Sequence, residues 1–125
     1  MATLLLIDDQ QSLRMLLKAA LQGAGYRVVT AENGRQGLQL FEEMSVDAIV
    51  VDLFMPEMDG LEFISRIRKT NLDIKIIAMS GEVGFLGLAK QVGADDTISK
   101  PFSLEDLLTM VSSHQDCAES RQPIP

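Results

Sequence analysis

One cysteine and one histidine in 125 residues leave little room for thiol or imidazole chemistry. The lone Cys117 excludes an internal disulfide framework and a cysteine-based zinc site. The lone His114 puts most nucleophile-plus-histidine triads out of reach. Basic residues are scarce as well: Lys+Arg 11 stand against Asp+Glu 18, for a net charge of -7. Phosphate backbones are gripped by clustered Lys and Arg, so a nucleic-acid-binding face is not expected. Long apolar runs are missing. The longest, around Leu4–Ile7 and Ala48–Val51, reach about four to five residues, whereas a bilayer span needs about 20. The N-terminus lacks the basic region and apolar length of a signal peptide. The expectation is a reducing cytoplasm and no membrane partner. What is present is ordinary for one globular domain: 46% apolar and 23% charged residues, with Gly 9 and Pro 4. A chain of this length buries roughly two-thirds of its unfolded surface and needs no staple.

Five short apolar runs recur: Leu4–Ile7, Tyr26–Val29, Ala48–Val51, Ile74–Ala78 and Thr97–Ser99. Several are β-branched and nearly continuous, as suits strands covered on both faces of a parallel sheet. Their starts lie roughly 21–26 residues apart, too far for hairpins and right for strand–helix units. Helical periodicity fills the gaps. Leu13, Leu16, Leu17, Ala20, Leu21 and Ala24 follow one face, with Gly25 as a stop. Leu38, Phe41 and Met44 follow the candidate cap Asn33. Asp59 heads Leu61, Ile64 and Ile67, ending in the basic turn of Arg66, Arg68 and Lys69, which suits the helix dipole. Ser103 and Asp106 form a variant capping box before Leu104, Leu107, Leu108 and Val111. Between Glu82 and Val92, Gly84 and Gly87 each cost about 1 kcal/mol against Ala in a helix interior. That segment reads as a short, soft fourth helix. The order is (βα)5, an α/β layered sandwich around a five-stranded parallel sheet. The domain is expected over 1–114, with a polar tail or linker over 115–125.

Ligands of open parallel sheets bind at the carboxyl ends of the strands. Strand one ends in Asp8-Asp9, strand three in Asp52, strand four in Met79-Ser80-Gly81 and strand five in Lys100-Pro101. Each alone reads as a turn or cap residue; their joint occurrence is the signal. Two carboxylates ~4 Å apart repel by about 4 kcal/mol at an effective dielectric of 20. Folding tolerates this when a cation lies among them or a carboxyl keeps its proton. An all-oxygen site with open positions suits Mg2+. Together with a lysine and a hydroxyl it supplies the parts that hold a transferring phosphoryl group. With no activated serine, cysteine or histidine in view, a carboxylate is the simplest nucleophile.

The set LLLIDDQ, VVDLFMPEMDG, IAMSG and ISKPF, in that order, resembles the receiver domain of two-component response regulators. The likeness covers about residues 2–114. It implies a doubly wound, flavodoxin-like fold of strand order 2-1-3-4-5. It also implies phosphorylation by a histidine kinase or histidine phosphotransfer protein, dependent on Mg2+. Position by position, it makes Asp52 the phosphoacceptor. Asp9 becomes a direct metal ligand and Asp8 a largely water-mediated one, with the Phe54 backbone carbonyl completing the set. Ser80 becomes the hydroxyl switch and Lys100 the partner of the phosphoryl group, followed by a cis Lys100-Pro101 bond. Met55-Pro56 and Asp59-Gly60 match the loop after the phosphoacceptor.

Three positions depart from the family pattern. Thr97 stands where an aromatic switch residue is common, and Phe54 and Glu82 stand where the family's attacking water passes. The soft segment offers Phe85, Leu86 and Lys90 to an output partner or a C-terminal effector. Gly84 to Lys90 lacks the Gly and the Ser or Thr that a phosphate loop needs around its Lys. His114 reads as a surface residue near a helix end and Cys117 as an incidental thiol. Two other classes compete. A dehalogenase-type hydrolase wants a second Asp where Phe54 stands, and a cap domain. A pseudo-receiver would not need the intact Asp8, Asp9, Asp52, Ser80 and Lys100 set.

Overall fold

The computed structural model of the chain describes residues 2–55 and 58–120, with side chains as far as Ser113. Five strands and five helices alternate: β1 (Thr3–Ile7), α1 (Gln11–Gly23), β2 (Arg27–Ala31), α2 (Gly34–Glu43), β3 (Ala48–Asp52), α3 (Gly60–Thr70), β4 (Lys75–Ser80), α4 (Val83–Val92), β5 (Asp96–Ser99) and α5 (Leu104–Ser120). All strand pairs are parallel, in the order β2-β1-β3-β4-β5. The expected sandwich and strand order are both present.

The near-continuous apolar strands are explained by two cores. Alternate side chains of one strand point to opposite faces. Leu5, Ile7, Ile49, Val51, Ile76 and Ala78 meet Phe63, Ile64 and Ile67 of α3 and Ala89 of α4. Leu4, Leu6, Val50, Ile77 and Met79 meet Leu17 and Leu21 of α1 and Leu107 and Val111 of α5. Helices α1 and α5 thus cover one face, and α2, α3 and α4 the other.

Local signals set most helix starts. Asn33 accepts a 2.8 Å hydrogen bond from the Gln36 N–H, and Asp59 a 2.8 Å bond from the Glu62 N–H. Ser103 Oγ accepts from the Asp106 N–H at 3.0 Å. Each satisfies a donor that the first turn would otherwise leave bare. Gly25 follows α1 with φ 101°, a conformation glycine adopts without strain.

Several details differ from expectation. β2 begins at Arg27 and runs two residues past Val29, because Thr30 and Ala31 pair with Leu6 and Ile7. Leu16 is 53% exposed and lies outside the α1 core face. Arg68 does more than suit a dipole. Its guanidinium donates to the carbonyls of Gly93, Asn71 and Ile74 at 2.7–3.2 Å and pairs with Asp95 at 2.9 Å. Helix α5 continues to Ser120, since no Gly or Pro interrupts the sequence after Leu104 until Pro123. Pro56, residues 121–125 and the side chains of His114 and Cys117 lie outside the described residues. Among the described residues, no helix is long and apolar enough to cross a membrane.

Candidate phosphoacceptor site

β1 and β3 are neighbours in the sheet, with Ile7 opposite Val51. The residues that follow, Asp8 and Asp52, therefore meet at the carboxyl edge. Asp52 is the last residue of β3 and Ser80 the last of β4. Lys100 directly follows β5, and its backbone N–H donates to the Ser80 carbonyl at 2.8 Å. The sheet's register thus collects residues from four separate stretches of sequence.

Asp8, Asp9 and Asp52 each offer a carboxylate oxygen, all within 4.8 Å of one another. Asp8 is fully buried, Asp52 nearly so, and Asp9 is exposed. Lys100 reaches between the two buried ones. Its Nζ lies 3.2 Å from Asp8 Oδ2 and 3.4 Å from Asp52 Oδ1. Asp8 is held further by the Gln10 N–H, which donates to its Oδ1 at 2.8 Å, and by Arg14, which donates to its carbonyl at 2.8 Å. Neither contact is visible in the motif, because Gln10 acts through its backbone and Arg14 sits one turn into α1.

The Asp52 carboxyl is pushed up to about 6. Burial is the main cause, and the neighbouring Asp8 charge adds to it. Lys100 and a hydrogen bond from the Phe54 backbone N–H work in the opposite direction. A single ammonium among three carboxylates leaves the cluster net negative. An all-oxygen, electron-rich donor set with one exposed member fits a hard divalent cation such as Mg2+.

The loop after β3 closes against α3. The Gly60 N–H donates to the Leu53 carbonyl at 3.0 Å. A Cβ at position 60 would stand 2.5 Å from the Asp52 carbonyl oxygen and 2.7 Å from the Leu53 Cα. Both are backbone atoms with no room to yield, so only glycine lets α3 start this close to Asp52.

Ser80 is buried, and its Oγ is occupied with the loop that follows. It accepts from the Glu82 N–H at 2.9 Å and donates to the Glu82 carbonyl at 3.2 Å. The Lys100-Pro101 peptide is cis. Thr97, on β5, is half-buried. Of the residues expected to face a partner, Phe85 and Lys90 are exposed, whereas Leu86 is half-buried against the core beside α3. One contact has no counterpart in the motifs. The Phe54 ring meets the Phe85 ring edge-on, with centroids 4.7 Å apart and planes at 72°.

The chain is similar in sequence and fold to known proteins. A family model described as "Response regulator receiver domain" matches residues 4–112. Response regulator MprA of Mycolicibacterium vanbaalenii is 37% identical over 107 residues, which cover 84% of this chain and 46% of that protein. Sensor kinase CckA of Brucella abortus is 43% identical over 117 residues, covering 88% of this chain and 12% of the kinase. This chain therefore spans about half the length of the first relative and a small part of the second. The solved structure of response regulator TrrA from Thermotoga maritima, in complex with Mg2+-BeF, superposes with a TM-score of 0.85 at 35% identity. That match covers 91% of this chain and 99% of TrrA. With an acidic edge gathered by a 2-1-3-4-5 sheet and a family match over nearly its whole length, this chain belongs to the response regulator receiver domains.

Proposed function

We propose that the chain is a phosphorylation-controlled signalling switch whose phosphoacceptor is Asp52. The carrying observation is the placement of Asp52, buried at the end of β3 beside Asp8, with the Lys100 ammonium reaching between the two carboxylates. The donor in this reading is a phosphohistidine on a histidine kinase or histidine phosphotransfer protein. An Asp52 carboxylate oxygen attacks phosphorus, a P–O bond forms, and the P–N bond breaks with its electron pair going to the imidazole. With its carboxyl at about 6, Asp52 is mostly ionised near pH 7.5 and ready to attack.

Asp8, Asp9, Asp52 and the Phe54 backbone carbonyl would hold Mg2+. The chemistry such an ion would supply there is charge neutralisation at the phosphoryl oxygens. Lys100 meets the new negative charge as an ion pair, and Ser80 meets it by turning its hydroxyl from Glu82 toward the phosphoryl oxygens. That turn releases the Glu82 N–H at the threshold of α4. Beside Lys100, an apolar groove of about 360 Å3 between α1 and the β5–α5 loop is lined by Leu13, Leu16, Pro101 and Phe102 among others. It offers a seat for the phosphodonor. The TrrA complex with Mg2+-BeF supports the same reading by likeness.

Incubation with Mg2+ and acetyl phosphate should add one phosphoryl mass, labile to base and hydroxylamine, and Asp52→Asn should abolish it. Equal labelling of the Asn variant would put the nucleophile elsewhere. Turnover of a generic phosphate ester, with no trapped adduct, would instead favour a hydrolase.

A further inference from the structure

The first turn of α4 is weakly attached. Its N-cap, Glu82, makes no side-chain cap bond. Gly84 and Gly87 have nothing within 4 Å of where a Cβ would stand. Ala89, a full turn further on, is the one fully buried side chain of the helix. With Leu86 half-buried as its core contact, Gly84 within it and Gly87 just beyond, this turn belongs to the low-stability end of the fold. Among the described residues, two contacts join it to the phosphoacceptor edge. One is the Ser80 hydroxyl on Glu82. The other is the Phe85 ring, third residue of α4, resting on Phe54.

Phe54 is tied to Asp52 at its other end: it lies two residues on, in the loop that leaves β3, and its backbone N–H is among the groups that favour the charged Asp52 carboxyl. A carboxylate that becomes an acyl phosphate changes the oxygen this N–H faces, and the Phe54 backbone must adjust. A ring two bonds from that backbone moves with it. Edge-to-face pairs are favoured at centroid separations of about 4.5–7 Å; at 4.7 Å this pair is near the close end of that range, and a shift of the Phe54 backbone changes the contact directly. On β5, Thr97 is too small to carry a ring-scale rearrangement of its own.

We propose that the Phe54–Phe85 ring pair is the link by which the state of Asp52 is passed to α4, alongside Ser80 and in place of an aromatic at position 97. Resting on the phosphoacceptor reading above, the link works as a tether. The rings hold the first turn of α4 down in the free protein, and modification of Asp52 loosens that hold and frees the Phe85 side of the helix.

The test uses the whole chain with Mg2+ and beryllofluoride. Bound fluoride is read by 19F NMR and amide exchange over residues 82–88 by mass spectrometry. Phe85→Leu lies outside the acidic site and should still form the adduct. In the free protein it should speed exchange over 82–88 by roughly two- to tenfold, the worth of one aromatic pair. Adding beryllofluoride should then change exchange there by less than half the parent's change. Phe54→Leu, compared at matched adduct occupancy, should do the same. The double variant should go no further than either single one, and Phe85→Tyr should restore the parent response. If Phe85→Leu keeps the full beryllofluoride response, or if the two substitutions add, the ring pair is not the link. If the parent protein itself forms no adduct, the phosphoacceptor reading fails, and the tether fails with it.

Discussion

As the proposed phosphoacceptor, Asp52 carries two demands that pull against each other. It must be buried enough to be a defined nucleophile and ionised enough to attack. Burial raises its carboxyl from 3.8 to about 6, despite the Lys100 ammonium 3.4 Å away. The consequence for stability has a definite sign. Between about pH 4 and pH 6 the folded protein holds a proton on Asp52 that the unfolded chain has already lost. Stability therefore falls as pH rises through that window, by about 3 kcal/mol for this group. Asparagine keeps the shape without the charge. In urea melts with a metal chelator present, the difference between Asp52→Asn and the parent should be small at pH 4. It should grow to about 1–3 kcal/mol in favour of the variant by pH 7.5. Parallel pH curves for the two proteins would mean that burial does not set the charge of Asp52.

At the scale of elements, the helices are fastened in different ways, and the sequence discloses them unequally. α2, α3 and α5 begin at side-chain caps that were readable as Asn33, Asp59 and Ser103, because capping is local and uses few residue types. The strand ends were readable too, since an apolar run that stops in Asp or Lys marks the sheet edge. Contacts made across the fold were not readable. Arg68 looked like a charge suited to a helix end. It instead joins the end of α3 to the loops before β4 and β5, with its side chain only 12% exposed. Gly93 completes that joint, because with φ 126° and Arg68 Cγ 2.6 Å from its would-be Cβ it leaves the guanidinium its path. Arg68→Ala should strip donors from half-buried carbonyls and cost about 2–4 kcal/mol in urea unfolding. Arg68→Lys should recover less than half of that, since a point charge cannot match a planar fork of donors. A loss under about 0.5 kcal/mol, the scale of ordinary surface changes, would remove Arg68 from the account of how α3, β4 and β5 are held together. The Phe54–Phe85 contact was hidden for the same reason: 31 positions separate the two rings in the chain, and neither sits in a periodic pattern.

The whole molecule trades charge for a site. A parallel sheet with both faces covered leaves its carboxyl edge as the place where polar side chains can gather. The order β2-β1-β3-β4-β5 sets the ends of β1 and β3 side by side there. In a chain of net charge -7, three carboxylates within 4.8 Å are a local excess on top of a general one. One ammonium offsets only part of it. A divalent cation should therefore favour the folded state, because only folding brings Asp8, Asp9 and Asp52 together, and a ligand that binds only the folded state stabilises it by mass action. At ten times its dissociation constant the gain is about 1.4 kcal/mol, or a melting temperature higher by roughly 3–8 °C for a domain of this size. General screening of a -7 protein also stabilises, so the comparison is with NaCl at equal ionic strength. Asp9 is the exposed member of the cluster, and its loss leaves both cores untouched. Asp9→Ala should fold, should melt no lower than the parent without metal because one repulsive charge is gone, and should lose most of the Mg2+ response. If NaCl reproduces the rise, or if Asp9→Ala responds to Mg2+ as the parent does, the ion acts on the molecule's overall charge or binds elsewhere, and the acidic edge is not its seat.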